Sequence, residues 1–227
     1  MNSLATFSYH LRDVRSVLYQ NMALRLCEIC THEIIVPHII SVRHYSDLFQ
    51  TYFTMATSKT VRQPYKILKT EKEYEVRYYP AATVATIEMA ARSYKELSAT
   101  AFRKLSSFIL GGNQARKNIA ITLPVYMDLS NSVSSVSFVM PSEYNKGNLP
   151  TPNDSAIVIT TMQGEYVAAI QFGGYANEAN IKTHTARLES GLKANGIMFY
   201  GSFRLLSYNA PYQFLGKRNE IIVSIRW

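Results

Sequence analysis

The sequence predicts an α+β fold in which duplicated βαββ-type units form a distorted antiparallel β-barrel flanked by two α-helices. Three observations predict it. Val167-Ala-Ala-Ile-Gln-Phe172 is short and apolar, as a buried strand is, and leads through Gly173-Gly174 into a stripe of Ala179, Ile181, Thr185, Leu188 and Leu192 at helical spacing. An earlier stretch has the same plan, a strand over 83–88 followed by a helix over about 93–110. Finally, Val84-Ala-Thr-Ile87 matches Val167-Ala-Ala-Ile170, Leu123-Pro124 matches Ala210-Pro211, and Phe138-Val139 matches Ser224-Ile225, at an offset of about 83 to 87 residues. Either half alone would expose an apolar sheet face and an apolar helix face. Two halves related by a pseudo-two-fold axis bury both, and are expected to leave an apolar slot between them.

The elements follow in order. Tyr65-Lys-Ile-Leu and Tyr74-Glu-Val-Arg-Tyr-Tyr alternate with period two, as half-buried strands do, until Pro80. After the strand over 83–88, Ser93 with Glu96 three residues on forms a capping box. Leu97, Ala101, Leu105, Phe108 and Ile109, with Phe102 beside them, supply that helix's apolar face, and Gly111-Gly112-Asn113 stops it. Strands are predicted over 119–126 and 133–140, and a Pro-, Gly- and Asn-rich loop over 141–154 joins the halves. The second half supplies strands over 156–160, 167–172, 203–208 and 220–226, and its helix ends at Gly196. The repeats are thus about 65–141 and 155–227.

Composition bounds the function. Hydrophobic residues make up 47% and charged residues 18%, which is globular and not disordered composition. The whole excess of +8 lies after residue 54, because the four Arg of 1–54 are matched by four acids. Lys and Arg are scattered through predicted strands and helices, so a specific nucleic-acid reader is not expected. No apolar run reaches the roughly 20 residues that span a bilayer. Residues 1–54 form an extension: a loosely structured segment, a targeting leader suggested by the stripe Leu4, Phe7, Leu11, Val14, Leu18, or residues ahead of a genuine start at Met55. The folded unit is expected to be 55–227. Both cysteines lie in the extension, so the rest has no disulfide, which suits the cytoplasm; a leader would instead direct the chain to an organelle.

Catalytic constellations are missing. Neither a Gly-x-Ser-x-Gly elbow nor a phosphate or dinucleotide glycine loop occurs, so no enzyme is expected. Cys27-Glu-Ile-Cys30-Thr-His32 comes near a covalent haem attachment, but Thr31 displaces the histidine. His184 falls at the edge of the second helix's stripe and reads as a boundary residue. Glu220 precedes the final apolar run and reads as an ion-paired acid or as a cation-binding one. The many tyrosines on predicted strands suit a wide apolar pocket with a polar rim.

Several stretches, in order from about residue 65 to 227, resemble the SOUL/haem-binding-protein family. They are Tyr74-Glu-Val-Arg-Tyr-Tyr-Pro80, 102–111 with Asn113, Ile121-Thr-Leu-Pro-Val125, Phe138-Val-Met-Pro141, Phe172-Gly-Gly-Tyr175, Tyr208-Asn-Ala-Pro211 and Lys217-Arg-Asn-Glu-Ile221. The resemblance implies the duplicated barrel and non-covalent binding of haem or another tetrapyrrole, with haem or porphyrin as the partner. By position the groove would use Phe102, Leu105 and Ser106 on the first helix, and Tyr212 and Phe214 in the loop before the last strand. Tyr78 stands where some members carry a histidine proposed as an iron ligand. Ser106 replaces a larger apolar residue, and Ser107 and Gln213 stand where relatives place basic residues near the propionates. The same architecture resembles effector-binding domains of bacterial regulators, in which Glu220 would meet an apolar or cationic ligand; a hydrolase using Glu220 and a tyrosine is a further alternative.

Overall fold

A nine-stranded antiparallel sheet carries two helices on one face. The structure, a computed structural model, describes residues 61–91, 93–129, 133–209 and 217–227. The chain divides into two units, Met1–Asp47 and Leu48–Trp227, and every described residue belongs to the second. In chain order the elements are β1 (Val61–Arg62), β2 (Lys66–Thr70), β3 (Glu75–Tyr79), β4 (Ala82–Met89), α1 (Tyr94–Ile109), β5 (Thr122–Leu123), β6 (Val125–Leu129) and β7 (Ser134–Val139). They continue as β8 (Val158–Met162), β9 (Glu165–Gly173), α2 (Glu178–Ala194), β10 (Phe199–Ser207) and β11 (Arg218–Ile225).

The sheet order is β2-β3-β9-β11-β10-β6-β7-β4-β8, and β1 and β5 form a separate parallel pair. This order is symmetric about the β10–β6 contact: β9-β11-β10 on one side answers β4-β7-β6 on the other. The leading strands are exchanged. β3, which precedes β4, hydrogen-bonds to β9, and β8, which precedes β9, hydrogen-bonds to β4. The sheet stays open at β2 and β8 and is a half-barrel. Register refines one sequence match. Val84 faces Val139 and Val167 faces Ser224, so Val139, not Phe138, is the positional counterpart of Ser224. The match of Leu123-Pro124 to Ala210-Pro211 lies partly outside the described residues.

Local chemistry accounts for the helices. Ser93 Oγ accepts the Glu96 N–H at 3.2 Å, the N-cap expected from the sequence. Leu97, Ala101, Leu105, Phe108 and Ile109 are all buried as α1 packs on β4, β6 and β7. On α2 the buried residues are Ile181, Leu188 and Leu192, packed over β9, β10 and β11, and the cap is Asn177. Together these side chains form one core between helices and sheet. At the end of α1, Gly111 takes φ +98°, and the fully buried Asn113 side chain donates to the Phe108 and Lys117 carbonyls and accepts the Lys117 N–H.

Two strand predictions change. The run over 119–126 is interrupted: β5 is two residues long and β6 begins after Pro124, which has no N–H to give a ladder. β10 starts at Phe199, ahead of the predicted 203, with a register shift between Tyr200 and Arg204 where Gly201 has φ +74°.

The other sheet face carries a second core, including Tyr79, Val84, Tyr126, Val139, Leu206 and Ile222. Among the described residues the expected apolar slot between the halves is therefore not found on this face. Its place is taken by large side chains and by buried charges.

Candidate functional site

The residues of the expected groove separate when placed on the structure. Leu105 is fully buried in the helix–sheet core, so it supports α1 from beneath. Phe102 is half-buried on the neighbouring line of the helix, its ring edge-to-face with Phe138 at 5.3 Å between centroids. Ser106, one turn on, is only 1% exposed, and its Oγ has no hydrogen-bond partner. Such an orphan hydroxyl is unfavourable unless a ligand or water satisfies it. Tyr212, Phe214 and Gln213 lie outside the described residues, as do Cys27, Cys30 and residues 1–54.

Ser107 is exposed, and so is Arg103, four residues before it and therefore on the same face. Arg103 escaped the sequence reading, which looked for basic residues only at family positions. Its helical spacing from Ser107 was the available signal. Lys104 is spoken for, ion-paired with Asp154 at 2.8 Å.

Tyr78 is not on this face. It lies on β3, opposite Tyr166 of β9, with ring centroids 5.0 Å apart, while α1 packs on β4, β6 and β7. Its hydroxyl lies against Gly164, where a Cβ would come within 2.6 Å of it.

Glu220 anchors the buried charge of the half-barrel. Its carboxylate is wholly inaccessible and accepts from Arg77 Nη1 at 2.7 Å, Arg77 Nη2 at 3.2 Å, Arg218 Nη2 at 2.6 Å and the Tyr208 hydroxyl at 2.8 Å. Burial alone would push the Glu220 carboxyl upward, but the hydrogen bonds and charge of Arg77, with Arg218 and Tyr208, hold it below its ordinary range. Burial likewise opposes charge on Arg77, and Glu220 more than reverses that. The guanidinium of Arg77 also lies over the Tyr65 ring at 4.4 Å, and that of Arg218 over Tyr208 at 4.3 Å. This acid is already matched twice and leaves no free charge for a cationic effector or an ester. The sequence reading missed Arg77 as its partner, although an arginine between Val76 and Tyr78 in a period-two strand must point away from the helix side. Nearby, Arg204 grips Glu165 through two 2.8 Å contacts, and Ser224 donates to Glu165 at 2.7 Å, tying β9, β10 and β11 together.

His184 is the sole histidine among the described residues. It sits half-buried on α2, with Nδ1 2.7 Å from the Asn180 carbonyl and its ring stacked on Phe172 at 4.4 Å. Among the described residues no cluster of three His, Cys, Asp or Glu could hold a metal ion, and no helix is long and apolar enough to cross a membrane.

Comparison with known proteins places this architecture. A hydrolase from Listeria innocua superimposes with a TM-score of 0.51 at 10% identity, over 70% of this chain and 94% of that one. The C-terminal domain of EcmrR does so with a TM-score of 0.50 at 11% identity, over 71% and 98%. At such identity these neighbours share the fold alone. Heme-binding protein 1 of Mus musculus is 28% identical over 170 residues, 70% of this chain and 89% of its own length. Heme-binding protein 2 of Homo sapiens is 27% identical over 156 residues, 65% and 76% respectively. The family model described as SOUL heme-binding protein matches residues 61–224, and the chain belongs to that family.

Proposed function

We propose that the chain binds haem or another tetrapyrrole non-covalently in an apolar groove beside α1, as a haem carrier, buffer or sensor and not as an enzyme. The observation that carries this reading is the family match over 61–224, joined by relatives named as heme-binding proteins. The binding unit is assigned to 55–227, and the cytoplasm is the compartment that its lack of disulfides suits.

The residues present fit such a ligand. Phe102 offers a half-buried aromatic edge, Ser106 an unsatisfied hydroxyl, and Arg103 a cation one turn away for a propionate. By the family resemblance, Tyr212 and Phe214 would be further contacts to the ligand. When bound, haem supplies iron-centred ligand exchange and redox chemistry. The chain's part is to cover an apolar macrocycle face and to pair its carboxylates. Because Tyr78 packs at a tilt against Tyr166, away from α1, the reading needs no tyrosinate on the iron.

Titration of the full chain with hemin tests it. A Soret shift saturating at micromolar hemin, unchanged in Tyr78→Phe, is expected. Absence of a Soret shift at that concentration overturns the proposal.

A further inference from the structure

A cleft of about 740 Å³ opens elsewhere on the molecule, between β1, the β3–β4 turn, the end of β7 and the loop after it. No α1 residue is among its described lining residues. Its walls are apolar, supplied by Val61, Pro64, Pro80, Val139, Met140 and Pro141. The volume is that of a small-molecule site.

Two features give it a polarity. Arg62 and Lys146 both line it, both are exposed, and neither forms an ion pair among the described residues. No Asp or Glu is among the described lining residues; Glu143, on the same loop, does not line it. Gln63 and Thr122, also lining residues, are 5% and 3% exposed, and each has a buried polar atom with no partner, Nε2 and Oγ1. Gln63 is held in place. Its Oε1 accepts the Tyr126 hydroxyl at 2.7 Å, and its N–H bonds the Leu123 carbonyl at 2.8 Å. An apolar cavity with two free cations, two unsatisfied polar groups and no opposing acid is complementary to an anionic head on an apolar body.

We propose that this cleft is a second binding site, distinct from the α1 face, for a carboxylate-bearing apolar small molecule of fatty-acid size. The carboxylate lies toward Arg62 and Lys146, and the chain lies along Val139, Met140 and Pro141.

Calorimetric titration of the full chain with laurate, below its micellar concentration, tests the assignment. One laurate site is expected, weakened roughly tenfold or more in Arg62→Glu/Lys146→Glu because two attractions become repulsions. Hemin binding by that variant is expected to stay unchanged. Methyl laurate and dodecyltrimethylammonium, compared on the unaltered chain, are expected to bind at least about tenfold more weakly than laurate, which keeps the test independent of the variant's folding. The proposal is overturned if laurate does not bind, if methyl laurate or dodecyltrimethylammonium binds as well, or if the double reversal leaves laurate affinity unaltered. One-to-one displacement of laurate by hemin also overturns it, since the cleft would then be the tetrapyrrole site itself.

Discussion

Arg77 and Glu220, 143 residues apart in the chain, meet in a two-point guanidinium–carboxylate contact at 2.7 and 3.2 Å, with 3% and 0% of their side chains exposed. One residue belongs to β3 and the other to β11, with β9 between them in the sheet. The contact crosses from the exchanged leading strand of one half into the body of the other. Glu220→Gln removes the carboxylate charge and leaves the buried Arg77 guanidinium with the partly exposed Glu75, 2.7 Å from its Nε, as its remaining counter-ion. Breaking one partner of such a pair costs about 3–5 kcal/mol. Urea unfolding is expected to show a loss of that size. A paired Arg77→Met/Glu220→Met change should cost less than the two single changes added together, because it leaves neither of the two buried charges facing a neutral partner, and the charged groups that still lose a partner, Arg218 and Glu75, are partly exposed.

The same carboxylate sets the acid limit of stability. The folded chain holds Glu220 below its unfolded value of 4.5, so its contribution is complete above that value and is lost as pH falls from there through the lower folded pKa. The alkaline limit has the opposite sign. Burial raises the phenols of Tyr79, Tyr126 and Tyr208 above 10.0, so stability is complete below that value and declines as pH climbs past it. Urea midpoints measured across the pH range should form a plateau between these limits. Glu220→Gln should flatten the acid flank and also weaken the alkaline one, because the Glu220 charge helps burial to raise the phenols of Tyr79, Tyr126 and Tyr208.

These networks show where sequence reading stops. Period-two alternation over Tyr74-Glu-Val-Arg-Tyr-Tyr assigns Val76 and Arg77 to opposite sheet faces, and the structure agrees. Alternation gives faces, not neighbours, so the exchange of β3 onto β9 and β8 onto β4 could not be read from it. The apolar stripe of α1 was legible, but periodicity does not say which line of the stripe is covered. Leu105 and Ser106 are buried while Phe102 is half-buried. The cleft proposed for a carboxylate ligand is built largely from 61–64, 80–83, 139–142 and 144–147, mostly turns and loops, which carry no periodic signal.

If the α1 face holds a tetrapyrrole, Phe102→Ala should weaken hemin binding by roughly tenfold, the scale of one lost aromatic contact. Arg103→Glu should weaken it several-fold at low ionic strength and less at high salt, since the cation is exposed. Glu220→Gln, buried on the opposite sheet face, should leave hemin affinity unaltered once the variant is shown to be folded. Loss of hemin binding in folded Glu220→Gln, with Phe102→Ala silent, would move the ligand from the helix to the interior of the half-barrel.

Gly112 and Gly164 offer a matched pair of substitutions with unequal costs. A Cβ on Gly112 would come within 2.6 Å of the Ser107 carbonyl oxygen and 2.9 Å of its carbon, which are backbone atoms at the end of α1. The Gly112 N–H is bonded to that same carbonyl at 2.8 Å, so the backbone cannot move away without breaking the bond. A Cβ on Gly164 would also meet an atom at 2.6 Å, but that atom is the Tyr78 hydroxyl, at the free end of a side chain that is partly exposed. Gly112→Ala should therefore destabilise by about 1–3 kcal/mol, as forced overpacking does. Gly164→Ala should cost under about 1 kcal/mol, since Tyr78 can rotate aside. Urea unfolding of both variants checks the contrast. Equal losses would mean that Tyr78 is pinned through its contact with Tyr166, and that the β3–β9 pairing is stiffer at that end than the α1 terminus.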